Sequence, residues 1–548
     1  MEKYRVEDNR NIPPGPLALM RSIFHRFETI FFDFFLIFTT FIYITGGTFF
    51  IQPPLTELVK EKPWVHRLAI SVLLAAVLIW FWLRLRCKLK PSWILNRLSQ
   101  IDFSNRIWLW SLFLIFTVTG TLSAWTRHRA FQTSFDMAIF IQAIWNTLHG
   151  SFLYSSIKGG VCLLSDHFSP ILLLYTIPYR VWPDPKCLLL FQTLLAAAAV
   201  FPLFCLANEY LQSKKWALSF VAAYILYLPV RNAVRFDFHP EMIALPLIFW
   251  SFYGILKKRL VFSSLTLALI LLTKENAALT VFGIASYAAI FKKHWVFGIF
   301  WGIFSAVYFF LVIYFIFPHV FDTDYFYLQG NYQVWGQAGI KEFLKHLFSS
   351  SSLFYLVKIY APLGFLSFLS APTFLMNLPV LAQNLMATNP MFRSIFFHYT
   401  IYLTPFVFIS ALDGAKLISN WKGGPAYFLI STLLFSGISE IYIISEQSRF
   451  LSKRNDATGE YLSKIPSDQS VRTHEFFAPH VAHRKKLYIY ENQNPKEGLS
   501  KEALNADWII LDESLLGGGA EIHLQKIESQ GYHRQPSLAG LFVYQKSK

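Results

Sequence analysis

The chain has 548 residues, 54% of them hydrophobic, 18% aromatic and only 15% charged, against roughly 25% charged in soluble domains. That much apolar surface exceeds what a soluble core can hide, so lipid is the main solvent and the chain reads as a polytopic membrane protein. The net charge of +16 sits in short basic clusters between apolar runs, which is the pattern of membrane insertion; no RNA- or DNA-binding motif accompanies it, and nucleic acid is excluded as a partner.

The polar first residues run past the length of a secretory n-region and lead into an apolar run of spanning length, so no cleavable signal peptide is expected. Runs long enough to span, or nearly so, lie near 29–50, 67–84, 107–125, 186–208, 216–230, 241–256, 260–273, 276–291, 295–317, 352–369, 371–386, 399–415 and 425–444, about thirteen in all on a hydropathy reading. With the N-terminus inside, the inside loops carry "RLRCKLKPSWILNR", "SKK", "KKR", "KKH" and "NWK". Every short inside loop is then basic, and the C-terminal tail falls outside. Cys87, Cys162, Cys187 and Cys205 have no CxxC spacing and imply neither a zinc site nor a disulfide framework.

Between about 126 and 185 lies a long outer loop. Its "SFDMAIFIQAIWNTLHG" repeats apolar Met137, Phe140, Ile141, Ile144, Trp145 and Leu148 at helical spacing, which predicts a short amphipathic helix lying in the membrane interface. "DHFSPILLLYTIPY" predicts a second, with Ser169 as N-cap and Pro170 at its first position. "GIKEFLKHLF" predicts a third. From about 446 the composition turns polar, and "KLYIYE", "ADWIILDE" and "GLFVYQK" read as strands of a small α/β domain over 446–548. "LGGGAE" within it lacks the spacing of a nucleotide-binding loop.

The charge rule puts almost all chemistry-bearing residues on one membrane face. Asp136 has two readings: the acidic partner of a capping box opened by Thr133, or a general base held at the membrane surface. Asp166 and His167 fit a helix start and a surface histidine, or a metal or phosphate site. In "RFDFHPE", Pro240 and Glu241 are explained as a helix start. Asp237 and His239 are not, since a residue before proline is pushed to extended geometry and Asp237 lies further out. Arg231 and Arg235 sit on the same outer link against the insertion bias, which suggests an anionic ligand such as phosphate. Lys274 and Glu275 in "TKEN" either pair with each other or supply, through Lys274, a phosphate-binding cation. "DTD" at 322–324 reads as solvated loop. His398 and Tyr399 stand at an outer span start, where tyrosine is an expected interface residue.

The series "FDMAIFIQAIWNTLHG", "DHFSPILLL", "RFDFHPE", "LLTKENAAL" and "FFHYT" resembles a family of multi-pass prokaryotic membrane proteins of unknown function, over roughly 110–545. More distantly the layout resembles the GT-C glycosyltransferases, which use polyprenyl-phosphate-linked sugars and carry an active-site acidic residue on the first outer loop. Asp136 matches that residue. Arg231, Arg235 and Asp237 of "RNAVRFD" match, with altered spacing, an Arg-x-x-Arg-x-Asp loop two spans later, and Lys274 resembles a lysine after a leucine-rich span. The chain departs in having Phe-Asp for Asp-Glu, "DHFSP" for His-Pro-Pro, and two extra leading spans.

The expectation is therefore an all-α polytopic membrane protein, a GT-C-like helical bundle with a small C-terminal α/β extracytoplasmic domain, in the cytoplasmic membrane. Its parts are 1–106 with two spans, a multi-pass core over 107–445, and the domain over 446–548. The resemblance implies transfer of a sugar from a polyprenyl-phosphate donor, with Asp136 and Asp237 as catalytic residues and Arg231, Arg235, Lys274, His398 and Tyr399 binding substrate or phosphate. Asp166, His167 and His239 are candidate ligands of a divalent ion; oxygen donors favour magnesium or manganese, and histidines pull toward manganese or zinc. Two other classes stay open: a transporter or flippase, which would place polar sites at the midplane on broken helices, and a non-catalytic envelope scaffold.

Overall fold

The computed structural model describes residues 107–420, 423–437, 453–490, 505–516, 520–538 and 540–547. The chain divides into two compact units, residues 1–102 with 421–427, and residues 103–420 with 428–548; the second holds the helical bundle and the C-terminal domain. The expected spans at 29–50 and 67–84, and the glycines of "LGGGAE", lie outside the described residues.

The bundle opens with α1 (Ile107–Arg129) and α2 (Phe135–Leu148). A small hairpin follows, β1 (Tyr154–Ser155) paired antiparallel with β2 (Val161–Cys162). A 3-10 stretch over Pro170–Tyr175 leads into α3 (Thr176–Val181), with Ser169 at the N-cap and Pro170 in the first turn as the sequence predicts. Next come α4 (Pro185–Ala198) and α5 (Val200–Leu211), which run on as a single span of 27 residues. After them α6 (Lys214–Leu226) and α7 (Leu228–Arg235) are bent by 45° against each other. The bend falls where Pro229 enters the first turn of α7, since proline lacks the N–H that would continue the preceding helix. Pro240–Ile243 is a 3-10 turn that feeds α8 (Ala244–Leu256). Then follow α9 (Leu260–Leu271), α10 (Ala277–Ile290) and α11 (Trp295–Leu311), the last extended through a π turn to Val320.

Among the described residues three helices are long and apolar enough to cross a membrane, Ile107–Arg129, Pro185–Leu211 and Trp295–Val320, and the bent pair makes a fourth if it is one span. The count of about thirteen is thus supported only in part. The expected spans at 352–369 and 371–386 are broken. α12 (Phe326–Tyr332), α13 (Ile340–Leu347) and α14 (Ser350–Tyr360) are short, and the chain after α14 enters the left-handed region at Gly364 (φ 62°) and Phe365 (φ 55°). Pro362, Pro372 and Pro379 restart helices after that break, so apolar composition there does not yield one continuous rod. α15 (Leu378–Met386) and α16 (Leu403–Ala415) follow, and a further apolar helix covers Gly424–Thr432.

The C-terminal domain combines α17 (Lys453–Ser463) and α18 (Ala520–Ser529) with a five-stranded sheet in the order β4-β3-β5-β7-β6. Its strands are β3 (Val471–Thr473), β4 (Leu487–Ile489), β5 (Trp508–Asp512), β6 (Tyr532–Arg534) and β7 (Leu541–Lys546). β3 pairs parallel with β4 and β5, whereas β7 runs antiparallel to β5 and β6. β4, β5 and β7 are the three expected strands; β3 and β6 were not legible, each being three residues long with a charged member. Ile509, Ile510 and Leu511 of β5 are all fully buried, because this strand is covered on both faces. On one side Ile509 and Leu511 pack with Ile527 and Tyr544. On the other, Ile510, Val471, Leu487 and Val543 join a core that includes Met137, Ile141 and Ile144 of α2.

That shared core corrects the expectation for α2. Neither face of the helix is wet: it packs beneath the C-terminal sheet, and even its polar Gln142 and Asn146 are buried. Gln142 Oε1 accepts from Ser155 Oγ and the Ser156 N–H, both at 3.0 Å, while its Nε2 donates to Ser156 Oγ (2.9 Å) and to the Arg484 carbonyl (3.1 Å). Ser156 Oγ in turn meets both the N–H and the carbonyl of Leu487 at 2.7 Å. A buried amide satisfied on both ends fixes the register of the domain on the helix. Gln142→Ala strands several of these groups and is expected to weaken the docking by about 2 kcal/mol. Limited proteolysis of the detergent-solubilised protein should then release the C-terminal domain faster than in wild type, and an unchanged cleavage rate would refute the role.

Candidate functional site

The link between α7 and α8 sets the geometry. α7 carries Arg231 and Arg235, so these two arginines stand on a helix and not on an outer loop. Phe236 is extended, and His239, before Pro240, is extended too (φ −137°, ψ 125°), as the proline requires. Between them Asp237 is fully buried. Its Oδ2 accepts from Ser134 N and Ser134 Oγ, both at 2.9 Å, and from Met137 N at 3.3 Å. Its Oδ1 accepts from Arg127 Nη1 at 3.2 Å, and the same nitrogen donates to the Arg235 carbonyl at 2.9 Å. The Arg127 guanidinium also lies over the Phe236 ring, 5.3 Å from its centre.

Asp237 is therefore the cap of α2, supplied from a distant segment. A carboxylate at a helix N-terminus satisfies its orphan N–H groups and faces the positive end of its dipole. The capping box expected from Thr133 and Asp136 does not form. Ser134 is the N-cap residue, its side chain caps nothing, and Thr133 Oγ1 is engaged with His128 Nδ1 at 2.9 Å. Freed from capping, the Asp136 side chain turns into a cavity.

The cavity holds about 290 Å³ and collects side chains from six separate segments. Of the residues singled out in the sequence, Asp136, Asp166, His167, His239, Lys274, His398 and Tyr399 line it, whereas Arg231, Arg235 and Asp237 do not. Of the expected phosphate cations only Lys274 reaches the cavity; Arg231 Nη1 is directed to the Ile225 carbonyl at 3.4 Å. Lys158, Glu241, Glu275, Tyr325 and Tyr327 also line the cavity, and sequence reading passed over them as site residues. Glu241 sat in a helix start that seemed to explain it. The other signal was the pairing of Lys274, which goes to Glu241 Oε1 (3.1 Å) and not to its neighbour Glu275.

Glu275 is fully buried and accepts from Tyr325 OH (2.6 Å) and the Phe168 N–H (2.9 Å), with His167 Nδ1 at 2.9 Å. Burial pushes its carboxyl up, but His167, Lys274 and Tyr325 together outweigh this and hold it at about 2. Asp166 Oδ1 receives Lys158 Nζ (2.9 Å) and Tyr327 OH (3.0 Å), and the Tyr327 ring stacks on His167 at 4.2 Å. Burial works against the Lys274 ammonium, yet Glu241 and Glu275 raise it above its ordinary value, so it stays charged.

Asp136 differs from the other carboxylates. Burial raises it above the ordinary aspartate value; His239 and Lys274 pull it back, and the charge on Asp237 adds to the rise. Its Oδ2 lies 4.0 Å from His239 Nε2. His239 Nδ1 is 2.8 Å from the Asp237 carbonyl, an acceptor only, so Nδ1 carries a proton and Nε2 faces Asp136 with its lone pair or a second proton. His239 stacks on His398 with ring centres 3.6 Å apart, and burial together with His239 and Lys274 pushes His398 well below the usual histidine range. Three buried polar atoms of the lining, Glu241 Oε2, Asn276 Oδ1 and His398 Nδ1, have no hydrogen-bond partner among the described residues. Two of the three can only accept.

The candidate metal ligands already have protein partners. Among the described residues no three His, Cys, Asp or Glu side chains converge as an ion requires. Asp166 is taken up by Lys158 and Tyr327, His167 by Glu275, and His239 Nδ1 by a backbone carbonyl. "DTD" contributes nothing to the cavity, Asp322 and Asp324 both being exposed.

Among curated protein sequences none matches the chain. Its fold is similar to the crystal structure of ArnT from Cupriavidus metallidurans bound to undecaprenyl phosphate, at 9% identity and a TM-score of 0.49 over 79% of this chain and 97% of that one. The apo crystal structure of the same ArnT gives 10% identity and the same score and coverage. A family model described as predicted membrane protein (DUF2079) matches residues 127–538, and the chain belongs to that family.

Proposed function

We propose that the cavity is the active site of a membrane glycosyltransferase that takes a sugar from a polyprenyl-phosphate donor at the outer face of the cytoplasmic membrane. The observation that carries this reading is the contrast between Asp136, raised and unpaired by any lysine, and its fellow carboxylates, each held by a cation or several donors. A base poised in this way is suited to accept a proton from a hydroxyl. The acceptors Glu241 Oε2 and Asn276 Oδ1, without a hydrogen-bond partner among the described residues, match a ligand rich in hydroxyl donors, because a buried acceptor left unmatched is costly. The charge rule of the sequence supports the orientation.

In the proposed reaction the acceptor hydroxyl oxygen attacks the anomeric carbon of the donor sugar and forms the new C–O bond. The bond from that carbon to the phosphate oxygen breaks, and the polyprenyl phosphate departs with the electron pair. The hydroxyl proton passes to Asp136 Oδ2, with His239 Nε2 beside it. Lys274 Nζ has three donors and Glu241 occupies one, which leaves two for the charge developing on the phosphate. Asp237 acts one step back, as a positioning residue. Against a pure scaffold stands the cavity itself, which Asp136 lines while Asp237 fixes the helix that carries it.

Asp136→Asn is expected to lower sugar transfer by about 10²–10⁴ with an unchanged unfolding midpoint; an undiminished rate refutes the base role. Asp237→Ala breaks a buried pair and a helix cap and is expected to destabilise the protein by about 3–5 kcal/mol, read as a lowered Tm in detergent. If Tm holds while only turnover falls, Asp237 is catalytic and not structural.

The pH dependence has a definite sign. Asp136 must be deprotonated to act, and its carboxyl titrates above the ordinary aspartate value. Activity is therefore lost as pH falls through this raised value, at a higher pH than for an exposed aspartate. A profile of kcat/KM against pH should show this acid limb. A limb at the ordinary carboxylate position, or none, counts against the assignment.

A further inference from the structure

The C-terminal sheet carries a second cavity, about 480 Å³, bounded by the strand ends and the bundle. The chain leaves β3 toward β4 on one side, then crosses from β4 to β5 on the other, and all three strands are parallel. Where connections leave in opposite directions, a crevice opens at the carboxyl ends of the strands, and open parallel sheets bind ligands there. The second cavity sits at this point. His474, Glu475 and Phe476 directly follow β3, Tyr490 follows β4, and its far wall is Phe135 of α2.

Phe135 lines both cavities, and the next residue is Asp136. The two spaces thus adjoin across one ring. Glu475 feels the first site directly: burial raises its carboxyl, and the charges of Asp237 and Asp136 raise it further. Among the described lining residues Glu475 is the acidic side chain and there is no lysine or arginine. Aromatic rings with a few polar groups make the usual lining of a small-molecule site, and a carboxylate is an acceptor for hydroxyl donors. His474 is held in place by the Asp512 N–H, which donates to its Nδ1 at 3.0 Å.

We propose that this second cavity binds the acceptor, a saccharide whose hydroxyls donate to Glu475 and whose ring rests against Phe476, with the reactive hydroxyl directed past Phe135 toward Asp136. The assignment as acceptor site rests on the glycosyl-transfer reading; the assignment as a saccharide site does not. A lipid phosphate is the ligand of the first cavity and is not expected in the second.

The test uses the full chain in nanodiscs and two probes. Maltose and chitobiose are titrated by saturation-transfer NMR, and undecaprenyl phosphate by thermal shift. Wild type is expected to bind a disaccharide, and Glu475→Gln and Phe476→Ala to weaken it about tenfold each, by loss of a charge-assisted hydrogen bond and of ring contact, while the undecaprenyl phosphate shift is unmoved. If undecaprenyl phosphate binds but neither disaccharide does, or both variants bind as wild type, the second cavity is not a saccharide site. If the disaccharide binds and the variants weaken it, yet undecaprenyl phosphate gives no shift, the saccharide site stands and the glycosyl-transfer reading falls.

Discussion

The site depends on one buried carboxylate that never touches it. Asp237 closes the N-terminus of α2 through Ser134 and Met137 and is itself fixed by Arg127. Asp136 lies between those two anchored residues, so its direction follows from the clamp. A local cap would have used a side chain of α2's own leader. The distant cap instead ties the α7–α8 link to the start of α2, and Arg127, near the end of α1, is bound into the same knot through the Arg235 carbonyl. The α1–α2 corner and a link about a hundred residues away are thus held by one ion pair and a handful of charge-assisted hydrogen bonds, which are stronger than neutral ones.

The second constraint is that α2 is a shared core element. Its apolar residues pack into the C-terminal sheet, and Gln142 ties it through Ser156 to Leu487. Because Phe135 and Asp136 begin this same helix, the position of the domain and the position of the candidate base are not independent. A shift of the sheet along α2 would break the Gln142 network and move Phe135, the ring between the two cavities. Buried polar networks of this kind favour one register, since a partly satisfied network is worse than an apolar one.

Much of this was legible in the sequence, and the failures have physical causes. Basic inside loops placed Asp136, Asp166, His239 and Lys274 on one face, and the structure gathers all four round one cavity. Proline geometry gave His239 its extended backbone, as found. The same local reasoning assigned Glu241 to a helix start and stopped there, yet its partner is Lys274, 33 residues on. Helical periodicity found α2 but could not tell a lipid interface from a sheet as the covering surface, since both bury the same stripe. Arg231 and Arg235, which run against the insertion bias, stand on α7 and are not among the residues that line the cavity. Three-residue strands such as β3 give too short an alternation to read.

The charge balance of the cavity follows from these placements and narrows what can enter. Asp166, Glu241 and Glu275 are each matched, by Lys158, by Lys274 and by the His167 and tyrosine donors respectively. Asp136 is not matched by a lysine, and its carboxyl rises accordingly. An anionic group entering here meets an acidic surround in which Lys274 and Lys158, each with one carboxylate partner, are the ammonium donors, and Lys274 is the one beside Glu241 and Asn276 in the chain fold. It is therefore best accommodated at the Lys274 side, with the hydroxyl-bearing part of the same ligand turned to Glu241 Oε2 and Asn276 Oδ1. A ligand with a phosphate at one end and hydroxyls at the other meets both demands, and a bare phosphate meets only the first.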